Sequence, residues 1–191
     1  MNQTNSRNDQ KGALLIKRHG YFTNWIEKQL QKRRPKPANF FTTFGRLSRI
    51  MNAIEDDKDL LVNYEDEEIR VARSLMHMTN TMFLDEIATL ETHTVELSGD
   101  GIQVLRWFKE RDLNDQGNLV SNLGFLTDIV HDHKQEQTSA WDQQTVKIAK
   151  MAEQLNNDEL ITALLKVQAK QQVPEWKASY APKNKTTDFD I

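Results

Sequence analysis

One run of residues limits the fold more than any other. Phe40, Phe44, Leu47, Met51 and Ile54 recur at i, i+4, i+7, i+11 and i+14, a period that sets all five on one side of an α-helix. Asn39 stands just ahead of this stripe, a residue type whose side chain accepts from the first free N–H groups of a helix. Pro35 and Pro37 stop a helix from running in from upstream, because proline lacks the N–H and crowds the preceding turn. A helix is therefore predicted from about Asn39 to Ile54 or beyond. Arg46 and Arg49 fall off the stripe, on faces open to solvent or a partner.

The same period recurs elsewhere. Leu15, Phe22, Ile26 and Leu30 predict a helix from Lys11 to Arg34, weakened at Gly20 by about 1 kcal/mol relative to alanine. Ile69, Ala72, Met76, Phe83, Ile87 and Leu90 predict a helix from about Glu65 to Leu97, unbroken over roughly 50 Å or kinked near Met78 to Thr81. Ser98-Gly99-Asp100-Gly101 is the strongest punctuation. A short helix from Ile102 to Arg111 follows, then a turn at Asn114 to Gly117. Asn118 or Ser121 caps a helix to about Gln137, and Thr138 or Ser139 caps the next, which Asn156 to Asp158 breaks. A last helix covers Glu159 to Gln172, and Pro174 ends the regular structure.

No stretch alternates as a half-buried strand does, and seven Gly and four Pro are few for the tight turns of a sandwich or barrel. The expectation is an all-α fold, an irregular helical bundle of six to seven helices with a basic N-terminal arm and a short disordered C-terminal tail. The arm is assigned to 1–37, the bundle to 38–173 and the tail to 174–191; residues 1–10 read as a disordered lead.

Charge divides the chain. Net charge is −3, but residues 1–50 hold eleven Lys or Arg against two acids, while 51–191 hold fourteen against twenty-six. Lys17 to Arg49 alone carries nine cations, one acid (Glu27) and six of fifteen aromatics. Glu55 to Glu68 answers it with eight acids and one lysine. Such asymmetry points to a nucleic-acid, membrane or acidic-partner contact at the basic end. With no cysteine, disulfides, thiolate metal sites and a cysteine nucleophile are excluded. The polar N-terminus argues against a secretory signal. No apolar window nears the roughly 20 residues of a membrane span, so a cytoplasmic protein without membrane contact is expected.

Catalytic signatures are missing. There is no G-x-S-x-G elbow, P-loop or G-x-G-x-x-G. HExxH and Glu-x-x-His are absent as well. His131 and His133 lie at i and i+2, about 200° apart on a helix, which a shared tetrahedral metal does not tolerate. Gly101 to His133 has the outline of a helix-turn-helix, but Leu119 to His133 holds no Lys or Arg to approach phosphate, so an αα-hairpin is the better reading. Met76, Met78 and Met82 suit a soft partner groove or, more simply, core filling. The acidic, aromatic end TTDFDI is of the kind used as a docking peptide. No enzyme, metal or cofactor is expected.

What remains is the basic segment. Lys32, Arg33, Arg34, Lys36, Arg46 and Arg49 are the candidates to neutralise phosphate, and Tyr21, Trp25 and Phe41 the candidates to stack on bases. The expected function is a non-enzymatic accessory protein that contacts nucleic acid (DNA or RNA) through this segment, its acidic body engaging a protein partner or another copy of itself. The alternative is a helical adaptor or chaperone-like binder using the same segment on an acidic protein surface. A third possibility is that the segment docks on Glu55 to Glu68 of its own chain.

Overall fold

The computed structural model describes residues 20–32, 39–113, 118–134 and 141–167. Every regular element among them is helical: α1 (Tyr21–Gln31), α2 (Phe40–Asp56), a short 3-10 helix (Lys58–Asn63), α3 (Asp66–Met76), α4 (Asn80–Ala88), α5 (Gly99–Leu113), α6 (Leu119–Lys134), α7 (Gln143–Gln154) and α8 (Asn157–Leu165). The all-α expectation holds for these residues. The number of elements exceeds the six or seven expected. None of these helices is long and apolar enough to cross a membrane.

Local chemistry sets the boundaries. Asn39 accepts from the Thr42 N–H at 2.7 Å and starts α2 as expected. The helix foreseen from Glu65 to Leu97 is two, because Thr79 accepts from the Met82 N–H at 3.0 Å and opens α4 after a break at 77–79. Of the two caps proposed for α6, Asn118 is the one used, with the Ser121 N–H at 2.8 Å. The caps proposed for α7, Thr138 and Ser139, lie outside the described residues; Asp142 caps it instead, 2.9 Å from the Thr145 N–H. Asn156 both ends α7 and caps α8 through the Glu159 N–H at 2.9 Å. The last described helix closes at Leu165, short of the expected Gln172. The expected turn at 114–117, the lead at 1–10 and the tail at 174–191 lie outside the described residues.

The apolar stripe of α2 is the centre of the molecule. Phe40, Phe44, Leu47 and Met51 are fully buried, and α2 packs against α1, α3, α6, α7 and α8. Phe22, Phe40, Phe44 and Phe83 bring α1, α2 and α4 together, ring centroids 5.8 to 6.4 Å apart and mostly edge to face, the geometry that aromatic quadrupoles favour. Phe22, Trp25 and Ile26 of α1 belong to this same core, so α1 is part of the body and not a separable arm. α2 crosses α6 closely at Gly45, where an added Cβ would lie 3.0 Å from the Thr127 Cβ.

Helix ends are tied by residues far away in sequence. Glu86, 4% exposed, accepts from the Thr23 N–H at 3.2 Å and from its hydroxyl. It thus closes the α1 N-terminus, where Gly20 has no side chain to offer. Asn157 accepts from the Phe40 N–H at 2.7 Å, and Asn39 donates to the Glu153 carbonyl at 3.4 Å. Asn80 accepts from the Leu119 N–H at 2.9 Å. The extended stretch 92–98 is strapped to α8 by Asp158, Thr162 and Glu159, which accept from the N–H groups of His93, Val95 and Ser98. Glu159 accounts for the second of the two glycines read as punctuation, Gly101, whereas a Cβ at Gly99 would meet nothing. They sit inside the first turn of α5, where a Cβ at position 101 would lie 2.5 Å from the Glu159 Oε1.

Candidate functional site

α1, the start of α2 and the capping turn of α3 enclose a cleft of about 450 Å³. Its walls include Lys32, Thr43, Arg46, Arg49, Glu65 and Glu68. A smaller cleft of about 200 Å³ adjoins it, sharing Thr42 and Arg49 and adding His131, Lys134 and Glu153. Three of the expected phosphate ligands, Lys32, Arg46 and Arg49, therefore meet at one place although α1 and α2 separate them in sequence. Arg33, Arg34 and Lys36 lie outside the described residues.

The three cations differ in what holds them. Arg46 is exposed, as expected, but its charge is already paired. Its Nη2 donates to Glu68 Oε2 at 2.8 Å, its Nε donates to Oε1, and its guanidinium lies 5.3 Å from the Tyr64 ring centroid. Lys32 is exposed and donates to Gln29 at 2.9 Å. Arg49 has no ion pair among the described residues and borders both clefts. Elsewhere along the segment Lys28 meets Glu67 at 3.4 Å, and beyond it Lys134 meets Glu153. So part of the basic segment is paired within the chain with the acidic run 55–68, through Arg46 and Lys28.

Glu68 is the pivot of this pairing and was not singled out by the sequence. Only 6% exposed, its carboxyl is pushed up by burial. The hydrogen bonds from Arg46 and from the Glu65 N–H, with the charges of Arg46 and Lys32, outweigh that and hold it below the ordinary carboxylate value. The Glu65-x-x-Glu68 spacing was its available signal, since an acid at the third helical position reaches back to the cap N–H.

The stacking candidates part company. Trp25 and Phe41 are each 2% exposed and belong to the core, so they offer no face to a base; a large apolar ring beside core residues is worth more inside than out. Tyr21 is 49% exposed and keeps a free surface.

Behind the clefts, α2 and α6 share a polar seam. Asp128 accepts from Ser48 Oγ at 3.1 Å and from Asn52 Nδ2 at 2.9 Å. Burial pushes its carboxyl up to about 6, against the opposing effect of those two bonds and the Arg49 charge. Ser48 is fully buried, so this serine–carboxylate pair meets no substrate and reads as structure. A further cleft of about 590 Å³ lies along α7, with Asp100, Lys147 and Lys150 at its edge. Among the described residues no three His, Asp or Glu side chains gather to hold a metal.

No family model, curated protein or solved structure matches the chain.

Proposed function

We propose that this is a non-enzymatic accessory protein that contacts nucleic acid through phosphate, with Lys32 and Arg49 at the cleft and Arg33, Arg34 and Lys36, which lie between α1 and α2 in sequence, contributing further charge. The observation that carries the reading is Arg49. A guanidinium without an ion pair borders two adjoining clefts, beside Lys32, and neither cation has an ion pair among the described residues. Guanidinium groups suit phosphate because their planar fork matches two oxygens. With Trp25 and Phe41 in the core, the contact is to backbone phosphate, with Tyr21 as the remaining stacking surface.

Binding to single- and double-stranded DNA and RNA across a salt series tests this. A phosphate contact predicts affinity that falls steeply as salt rises. Replacing Lys32, Arg33, Arg34, Lys36 and Arg49 by alanine together should abolish it while the helical signal stays intact. No affinity at low salt for any of the four would end the proposal.

The adaptor reading has its own observation. Leu60 and Val62 are 49% and 86% exposed on the 3-10 helix, inside the most acidic stretch of the chain. Neighbouring exposed apolar residues of this kind mark protein contacts.

A further inference from the structure

The smaller cleft beside Arg49 has an acid next to it. Thr127, Val130 and His131 of α6 line that cleft together with Arg49. Asp128 lies among them on the same helix and turns to the seam with α2. There it accepts from Ser48 and Asn52, the residues that bracket Arg49 on α2. The guanidinium and the carboxylate thus belong to the two sides of one helix contact, close enough for the Arg49 charge to favour the ionised form of Asp128.

The other charged groups of the elements packed on α6 have different neighbours. Asp132, a turn on in α6 itself, opposes the ionisation of Asp128. Lys134 is paired with Glu153 of α7, and His131 faces the cleft. Lys147 and Lys150 of α7 line a separate cleft. Arg46 of α2 is held by Glu68. The acids of α4, Asp85 and Glu86, line a hollow against α1. Arg49 is therefore the cation that acts on Asp128 among the described residues.

The seam can also hold a proton. A serine hydroxyl both donates and accepts. With a hydrogen on Asp128 Oδ1, Ser48 Oγ becomes the acceptor at the same 3.1 Å. Its own hydrogen turns to a carbonyl of the preceding helical turn, while Asn52 continues to donate to Oδ2. No heavy atom has to move.

An anion on Arg49 changes the balance. It offsets the positive field that steadies the carboxylate, and its own charge repels that carboxylate. Both effects favour the neutral acid.

We propose that an anion bound at Arg49 and a proton on Asp128 promote each other, so that the phosphate site strengthens as the solution turns acidic. By linkage the two effects are one coupling seen from either side. The proton comes from solvent, and Asp128 acts through Arg49 without touching the ligand. Its carboxyl already stands at about 6 in the free chain, so modest acidification reaches it. The coupling rests on the reading of Arg49 as a phosphate site and adds how that site is regulated.

Oligothymidylate is the first probe, because its phosphodiesters and bases keep one charge state over this range. Histidines change charge there too. His131→Gln is therefore made throughout, and that chain is compared with the same chain carrying Asp128→Asn. The expected result is a gain in affinity of about fivefold from about pH 7.5 to about pH 5.5 at constant salt, beyond any gain in the Asp128→Asn protein, which already binds more tightly at the higher pH. Calorimetry in two buffers of different ionisation enthalpy should show proton uptake on binding with Asp128 present and less without it. Sulfate, a dianion throughout, is the second probe, read as a rise in melting temperature over sodium chloride of equal ionic strength that Arg49→Ala removes. Oligothymidylate binding with the same pH profile in both proteins would overturn the coupling and leave the nucleic-acid reading standing. No oligothymidylate binding, with the Asp128-dependent profile present for sulfate, would overturn the nucleic-acid reading and leave the coupling. Binding of neither probe would overturn both.

Discussion

Arg46 donates through Nε and Nη2 to both oxygens of Glu68, joining the second turn of α2 to the first turn of α3. The pair is lopsided: the arginine side chain is 45% exposed and the glutamate 7%. Removing the arginine strands a buried carboxylate, whereas removing the glutamate frees an arginine that water can reach.

That asymmetry gives the first prediction. Arg46→Ala should cost about 2–3 kcal/mol in denaturant unfolding, more than Glu68→Gln, with a coupling of about 1–2 kcal/mol in the double-mutant cycle. The carboxyl of Glu68 is held low, so its stabilisation is present above the unfolded carboxylate value and lost as pH falls through the folded one. The deficit of Glu68→Gln should therefore shrink as unfolding is measured from pH 7 down to roughly pH 3.

Asp128 behaves in the opposite sense. Its folded value is raised to about 6. Between the unfolded carboxylate value and 6, the folded chain binds more protons, so this residue's contribution to stability declines as pH rises. Above that window the charged form carries a penalty of about 2–3 kcal/mol. Asp128→Asn should gain on the unmodified chain in melting temperature as pH goes from about 4 to 7. A difference that stays flat over that interval would refute the assignment.

Gly101→Ala should push Glu159 off the Ser98 N–H and cost about 1 kcal/mol. In a Glu159→Ala background the obstruction is gone, and the same change should be neutral or stabilising by up to about 1 kcal/mol, since alanine suits a helix better than glycine. Thermal unfolding of the four proteins checks the reversal of sign.

Trp25→Ala should lower stability by about 3–5 kcal/mol, as core truncations do. Trp25→Phe should cost less and leave any nucleic-acid affinity unchanged under conditions where the protein is folded. A selective loss of affinity in Trp25→Phe would return this indole to the surface role read from the sequence.

Periodicity and single-residue caps were legible in the sequence because both act within a turn or two. The α2 stripe, Asn39 and the break around Asn156 all appear where spacing placed them. What was not legible depended on partners dozens of residues away. Trp25 looked like a base platform because a basic neighbourhood says nothing of what lies beneath a helix. Arg46 looked free because Glu68 reaches it only after the 3-10 helix turns the chain back. Gly99 and Gly101 looked like a break because Glu159, the reason for the space at 101, comes 58 residues later. The split at Thr79 falls where a kink near Met78 to Thr81 was one of the two readings, and a threonine three residues before Met82 is a cap by the same rule as Asn39.

The hydrogen bond from the Phe40 N–H to Asn157 spans 117 positions. On a ribosome, the helix at the centre of the molecule emerges long before the residue that finishes its first turn. Until α8 follows, the amide at the head of α2 must be served by water, and the aromatic face behind it stands without its last neighbours. A stop codon anywhere ahead of Asn157 would release a polypeptide whose central helix keeps its Asn39 cap but leaves the Phe40 N–H without its acceptor.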